Sequence, residues 1–571
     1  MPTVAQHLVD SLHSSGVRRV YGIAGDSLNG VTDALRRNGD VEWVHVRHEE
    51  AAAFAASAEA AVTGRLAVCA GSAGPGNLHL INGLYDAQRS RVPVLAIAAD
   101  IPSSEIGTGY FQETNPRDVF RECSVYAAVV SKPEQMPRLL RIAVHEALSK
   151  RGVAVLVLAG DIALSQIDAQ PEAFHIDAPH VVPAEAAVSA AATALNTAER
   201  VTILAGAGVQ GAHDELVALA ERLKAPVVHA MRGKEFVEPD NPYDVGMTGL
   251  LGFSSGYRAM EACDTLLMLG TDFPYPQFFP RDSTIVQVDV RGEQIGRRAK
   301  VDVPVVGGVK ETATALLPRL RDRHDTRHLD AMRKHYARAR KSLDDLATPS
   351  RRTIHPQYLA RVVDEAADDD AVFLPDVGSP VVWAARYLRM NGRRRLIGSF
   401  THGSMANAVS QAIGVQAAQP GRQVVALAGD GGLAMLLGEL LTLVQNKLPV
   451  KVVVFNNSSL NFIELEMKAA GFVTHSTGLQ NPDLAKLAEA MGVKGVRVES
   501  AKALPGAVKE VLAHDGPALL DVVTERQELA IPPTITAEQA QGFTLYAIRT
   551  VLSGKGDELL DLAQANWRQL F

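Results

Sequence analysis

From Gln423 to Asn457 the chain reads as an apolar strand, a turn carrying Gly429, Asp430 and Gly431, an amphipathic helix, and a second apolar strand ending in Asn456 and Asn457. That order leaves little freedom. QVVALA and VKVVVF are apolar without alternation, as strands buried on both faces of a parallel sheet are. Between them Leu433, Leu436, Leu437, Leu440, Leu441 and Val444 recur at helical spacing and predict one helix with its apolar face on that sheet. A β-α-β crossover is right-handed with parallel strands, so Asp430 and Asn457 are expected at one carboxyl edge, where open α/β sheets bind ligands. A carboxylate, an amide oxygen and a loop carbonyl suit Mg²⁺, which takes few protein oxygens and completes its shell with phosphate and water. Either motif alone is ordinary turn chemistry. At the two ends of one unit they specify a metal-diphosphate site.

At 571 residues the chain is long enough for about three or four domains, and a hydrophobic content of 47% supplies large cores. A formal charge of −7 argues against a nucleic-acid surface, which needs a concentrated basic face. Cys69, Cys123 and Cys263 are scattered and odd in number, and read as buried thiols. The opening MPTVAQHLVDSLHSSGV reads as an amphipathic helix without signal-peptide features, and no apolar run approaches a membrane span, so neither secretion nor spanning is expected. Strand-like and helix-like runs alternate throughout, which predicts the α/β class with three doubly wound parallel-sheet domains. Pro171, Pro179 and Pro183 mark a linker between Gln166 and Glu185, and a charge-dense helix from about Asp322, followed by a turn before Pro356, is expected as a solvated bridge. The expected division is 1–182, 183–335 and 336–526, with a C-terminal tail at 527–571.

In the first domain VEWVHV runs into Arg47, His48, Glu49 and Glu50 and then an alanine-rich helix. A carboxylate at a helix start ordinarily complements the helix dipole. The small-residue helix and the loop with Gly71, Gly74, Pro75, Gly76 and Asn77 let backbone approach a planar ring, which makes Glu49 a candidate site residue. In the middle domain Gly206, Gly208 and Gly211 form a literal GxGxxG. The next strand, APVVHA, ends at His229 and Ala230 with no carboxylate, so an NAD site is rejected there.

These motifs, with IPSSEIGTGYFQET, RGKEFVEPDNPYDVGMTGLLGFSSG and GSFTHGSMANA, resemble the pyruvate oxidase and acetohydroxyacid synthase superfamily of thiamine diphosphate enzymes, and within it the bacterial pyruvate dehydrogenase (quinone) branch. The resemblance covers essentially the full length and implies thiamine diphosphate, Mg²⁺ and FAD as cofactors. It implies that Glu49 hydrogen-bonds the aminopyrimidine ring, that Gly74 and Asn77 lie beside it, and that Gly403, Ser404 and Met405 hold it. Metal and diphosphate would fall to Asp430, Asn457 and the Ser459 carbonyl, with Asp376 to Gly378 and Ser379, Gly431, Gly432, Ser458, Leu460, Asn461 and Ile463 nearby. Phe111, Gln112, Phe462 and Glu466 match residues that shape the reaction pocket. FAD would lie on Thr248, Gly249, Leu250, Leu251, Thr271, Asp272, Phe273, Pro274, Tyr275 and Asp289, with Arg232 and Lys234 contributing.

The activity so implied is oxidative decarboxylation of pyruvate to acetate and CO₂, with electrons passed through FAD to a membrane quinone. Acetolactate-forming carboligation and a phosphate- and oxygen-dependent oxidase are the alternatives. The resemblance also implies sites shared between subunits, which makes a dimer the minimum unit and a homotetramer the expectation. In the tail Leu559, Leu560, Ala563, Trp567, Leu570 and Phe571 can share one helical face, while Asp557, Glu558 and Asp561 outnumber Lys555 and Arg568. That composition favours packing on the protein body. The resemblance implies instead that a cytoplasmic enzyme attaches peripherally to the inner face of the cell membrane, its tail on the lipid bilayer surface. Two places depart from the family pattern: Gly307-Gly308 stands where GD is common, and Ser459, Asn461 and Glu464 replace smaller or apolar residues beside Phe462.

Overall fold

The computed structural model describes residues 1–177, 179–528 and 537–552, together with Leu559, Leu562 and Asn566. Its described strands form three six-stranded sheets, and all of their named pairings are parallel. The first runs Glu42–His45, Arg19–Gly22, Ala67–Gly71, Val94–Asp100, Val153–Ala159, Tyr126–Val130. The third runs Arg395–Leu396, Val372–Pro375, Val424–Gly429, Lys451–Asn456, Ala518–Val523, Lys494–Val498. Counted within each domain, both follow the order 2-1-3-4-6-5. The middle sheet differs. Asp244–Met247, Val227–His229, Val201–Ala205, Thr265–Leu269, Thr284–Asp289 and Val303–Val306 follow 3-2-1-4-5-6, the order of dinucleotide-binding folds.

The first and third domains are welded by two small-residue helices, Glu49–Thr63 and Asn407–Ala418, which share one apolar core. Backbone comes very close there: a Cβ on Gly414 would sit 1.9 Å from the Ala55 carbonyl oxygen. The Tyr21 hydroxyl donates to Glu59 at 2.5 Å, which fixes the adjacent side chains. Helix Arg327–Leu346 joins the middle and third domains. Its Tyr336 meets Phe253 edge-on at 5.8 Å, and one turn on Arg340 donates to the Arg386 carbonyl at 2.6 Å, so the bridge is packed against both domains rather than merely solvated.

The single helix expected through Leu433–Val444 is two. Asp430–Met435 ends where Leu436 turns to φ −124°, ψ 39°, and Glu439–Gln445 restarts after Gly438, a weak helix former. Leu433 and Leu440 are buried as the spacing requires, but Leu441 is exposed. All three cysteines are buried and free. The C-terminal helix Ala537–Leu552 packs on Asn461–Ala469, with Tyr546 and Leu562 buried among Leu465, Phe543 and Leu559. Of the expected tail face only Leu559 is described. Leu560, Ala563, Trp567, Leu570 and Phe571, and the charges from Lys555 to Arg568, lie outside the described residues. Among the described residues no helix is long and apolar enough to cross a membrane.

Candidate active site

Two clusters of predicted residues form, one in the first domain and one in the third. In the first, His48 caps helix Glu49–Thr63, its ring nitrogen accepting from the Glu50 N–H. Glu49 is 6% exposed, and its Oε2 lies 2.9 Å from His79 Nδ1. The His48 and His79 rings stack at 4.3 Å, and burial followed by the His79 charge holds the His48 imidazole below its ordinary range. Gly76 leaves room for the carboxylate: a Cβ there would stand 3.1 Å from Glu49 Oε1. Gly74 has φ 66°, and a side chain on it would strike the Gln112 backbone, so the two predicted loops interlock. Asn77 donates to the Ala99 carbonyl at 2.7 Å and leaves its buried Oδ1 without a partner. Phe111 stands 78% exposed on a loop pinned by Glu113, whose carboxylate accepts the Gly107, Gly109 and Tyr110 N–H groups.

The third-domain cluster gathers at the carboxyl ends of Val424–Gly429 and Lys451–Asn456, which pair directly. Asp430 is 3% exposed, and its oxygens accept from the N–H groups of Gly431 at 3.0 Å and Ser458 at 2.8 Å and from Asn481 at 2.6 Å. Burial pushes its carboxyl above the ordinary range, while these donors pull against that rise. Asn457 Oδ1 accepts from the Ser459 N–H at 3.0 Å. Gly432 lies flat against Asp376, whose carboxyl burial pushes up to about 7. Gly378, at φ 128°, opens helix Ser379–Tyr387. Backbone N–H groups at such a helix start favour anions. Met405 Cε, Leu460 and Leu479 border the space a Cβ on Gly431 would fill, so the Gly403–Met405 loop does reach the Asp-Gly-Gly turn.

The first-domain carboxylate keeps to its own partner, His79, whereas Asn82 on the neighbouring helix links the domains by donating to Ser404 Oγ at 2.8 Å. His79, Asn82 and Asn481 were not foreseen. Each meets its partner across a long stretch of chain, and no spacing in the sequence couples them.

In the middle domain the GxGxxG glycines serve the fold. The Gly206 and Gly208 N–H groups donate to the Leu269 and Gly270 carbonyls at 3.0 and 2.9 Å, and side chains there would collide with Gly270 and Thr271. Thr248 is buried with an unpartnered hydroxyl, and Gly249, at φ 93°, lies against the Phe273 ring. Leu250 and Pro274 are exposed, and Leu251 touches the third-domain core. Asp272 pairs with Arg91 and with Arg291 at 3.1 Å, and Asp289 accepts the Arg291 N–H at 2.9 Å. Arg232 reaches the Ser90 carbonyl at 2.7 Å. Lys234 is buried and turns inward to pair with Glu238, which also lies 3.5 Å from the His229 ring, with Asp244 3.7 Å from that ring. A side chain on Gly308 would meet only the movable carboxylate end of Glu311, so nothing in the structure explains glycine there.

On Asn461–Ala469, Phe462 packs on the third-domain core while Ile463 and Glu466 face outward. Glu466 lies near Tyr275 of the middle domain, whose hydroxyl is pushed up by burial and then by that charge.

Family comparisons agree with this architecture. The thiamine pyrophosphate enzyme models match in order: the N-terminal TPP binding domain over residues 2–119, the central domain over 188–316 and the C-terminal TPP binding domain over 376–522. The chain belongs to the thiamine pyrophosphate enzymes. It is 36% identical to the protein of Bacillus subtilis (strain 168) described as putative thiamine pyrophosphate-containing protein YdaP, across 99% of this chain and 98% of that one. It is 31% identical to the pyruvate oxidase of Lactiplantibacillus plantarum, across 90% of this chain and 87% of that one. To the acetolactate synthase of Mycobacterium bovis it is also 31% identical, across 91% and 88%.

Proposed function

We propose that this thiamine diphosphate enzyme oxidatively decarboxylates pyruvate to acetate and CO₂ and delivers the two electrons, through FAD, to a membrane quinone. When bound, thiamine diphosphate supplies the electron sink for decarboxylation and FAD the electron acceptor. The protein's part is positioning and charge. Asp430, Asn457 and the Ser459 carbonyl hold Mg²⁺, and the Gly378–Ser379 helix start and flat Gly431-Gly432 backbone receive the diphosphate. The buried Asp430 carboxylate, beside the Asn457 amide oxygen and the Ser459 turn, is a donor set that fits a divalent cation. Glu49, buried beside His79, is placed to hydrogen-bond the pyrimidine ring and exchange a proton with it. For FAD, the dinucleotide strand order and the unpartnered Thr248 hydroxyl fit.

The observation that supports the redox reading is the dinucleotide strand order of the middle sheet together with the buried, unpartnered Thr248 hydroxyl in a segment assigned to flavin. The equal identity to an acetolactate synthase supports a second reading, in which the same carbanion joins another 2-oxo acid and FAD is not reduced. One purified sample given pyruvate distinguishes them. Dye or quinone reduction with acetate release is expected; acetolactate without flavin bleaching establishes the second reading, and peroxide with acetyl phosphate an oxidase.

A second copy of the chain is proposed to complete each site, bringing its third-domain cluster to Glu49 and covering Phe111, within a homotetramer. Membrane attachment through the tail is proposed on the resemblance. Deletion of Gly556–Phe571 is expected to leave dye reduction intact and to abolish pyruvate-dependent liposome binding; liposome binding equal to that of the full chain refutes the anchor.

A further inference from the structure

Helix Asn461–Ala469 leaves the metal loop carrying an ion pair with no part in the chemistry above. Glu464 and Lys468, 1% and 2% exposed, meet at 2.8 Å one helical turn apart. The second oxygen of Glu464 accepts the Ser459 hydroxyl at 2.6 Å. Lys468 also donates to Gln527 at 2.5 Å, and its ammonium lies 5.6 Å from the Tyr546 ring centre. A buried pair of this kind seldom outperforms apolar residues of the same volume in stability, because both charges lose their water. Its use must lie in geometry.

The loop it borders needs holding. Ser458 sits at φ 54°, left-handed backbone that a serine rarely adopts. On one side the turn is tied by backbone alone: Leu460 donates to the Thr477 carbonyl and Leu479 to the Ser458 carbonyl, each at 2.9 Å. On the other side Glu464 binds the Ser459 side chain. Groups that orient a metal ligand from behind are worth about 10- to 100-fold in metal affinity.

We propose that Glu464, held in place by Lys468, is a positioning residue for the metal loop: through the Ser459 hydroxyl it fixes the direction of the Ser459 carbonyl and thereby the affinity for Mg²⁺ with thiamine diphosphate. The inference rests on the reading that Asp430, Asn457 and Ser459 hold the metal. It deepens that reading by placing a determinant of affinity at a position where the chain departs from its family.

The test is a mutant cycle in the full-length chain, read by calorimetric titration of the apoprotein with thiamine diphosphate and Mg²⁺, which does not depend on turnover. Ser459→Ala is expected to weaken binding about 10-fold. Replacing the pair together, Glu464→Leu with Lys468→Met, is expected to weaken it similarly. All three changes combined should cost little more than either alone, since both break one linkage. Unchanged affinity, or losses that simply multiply, overturns the proposal, and a lowered apoprotein melting temperature with unchanged affinity overturns it in favour of a purely structural pair. Should the paired variant fail to fold, Ser459→Ala carries the test alone: a 10-fold loss upholds the linkage and wild-type affinity refutes it. Asp430→Ala is titrated alongside. Wild-type binding by that variant refutes the metal assignment itself, whereas its loss of binding beside an unaffected Ser459→Ala refutes only the positioning role.

Discussion

Glu439 accepts the Arg47 N–H across the boundary between the first and third domains, at 3.1 and 3.3 Å to its two oxygens, and the Thr442 hydroxyl at 2.7 Å. Burial pushes its carboxyl up to about 7 from an ordinary 4.5. A carboxyl that binds its proton more tightly folded than unfolded contributes its full stability below the unfolded value. That contribution declines as pH climbs from 4.5 towards 7, and the whole cost of the buried charge is present above it. Glu439→Gln, which keeps an acceptor for Arg47, is therefore expected to raise the melting temperature at pH 8 more than at pH 5, and melts at both values check it. Equal shifts would assign the effect to packing. At Glu49 the expectation is kinetic. Glu49→Gln should keep the fold and the metal but slow hydrogen–deuterium exchange at C2 of bound thiamine diphosphate by on the order of 10² to 10⁴; exchange at the wild-type rate rules out the proton role. Glu49 was legible in the sequence because it opens a small-residue helix, but its partner His79 was not, since only the packing of two helices brings them together.

Among elements, the crossing of Glu49–Thr63 with Asn407–Ala418 is the least tolerant of volume. A methyl on Gly414 meets the Ala55 carbonyl oxygen, which cannot move without its helix, whereas one on Gly421 meets nothing within 4 Å. Gly414→Ala is expected to destabilise by at least about 1–3 kcal/mol, the usual range for overpacking, while Gly421→Ala is near neutral. Thermal melts of the two side by side check this, and equal behaviour would mean that the helices can separate at no cost. The strands were readable from their unbroken apolar runs, and so was the edge at which Asp430 and Asn457 emerge. The break at Leu436–Gly438 was not. The leucine spacing continues across it, and what divides the helix is local: a weak helix former at Gly438 and the demand of Glu439 for the Arg47 backbone.

For the whole molecule, the exposed apolar side chains show where the proposed second copy would bind. Tyr110 and Phe111 in the first domain and Met435, Ile463 and Phe472 in the third are large and exposed near residues assigned to the site. Large exposed apolar groups of this kind point to association. Phe111→Asp is expected to shift the protein to a smaller species in sedimentation and to weaken thiamine diphosphate binding at the same time. A wild-type oligomer with wild-type affinity would place the interface elsewhere.

The sequence by itself determined the class of fold and the two motifs that matter most, because apolar runs, helical spacing and the Asp-Gly-Gly and Asn-Asn turns act over short distances along the chain. Its rejection of an NAD site at the GxGxxG of the middle domain rested on the missing carboxylate, and the structure adds that Gly206 and Gly208 pack on Gly270 and Thr271. What only the tertiary structure decided lies between elements. The shared strand order of the first and third sheets, the dinucleotide order of the second, the His79 and Asn481 partners and the inward turn of Lys234 all depend on which surfaces meet. The closest approach of one backbone to another, Gly414 on Ala55, is set by the absence of a side chain and so has no residue pattern to announce it.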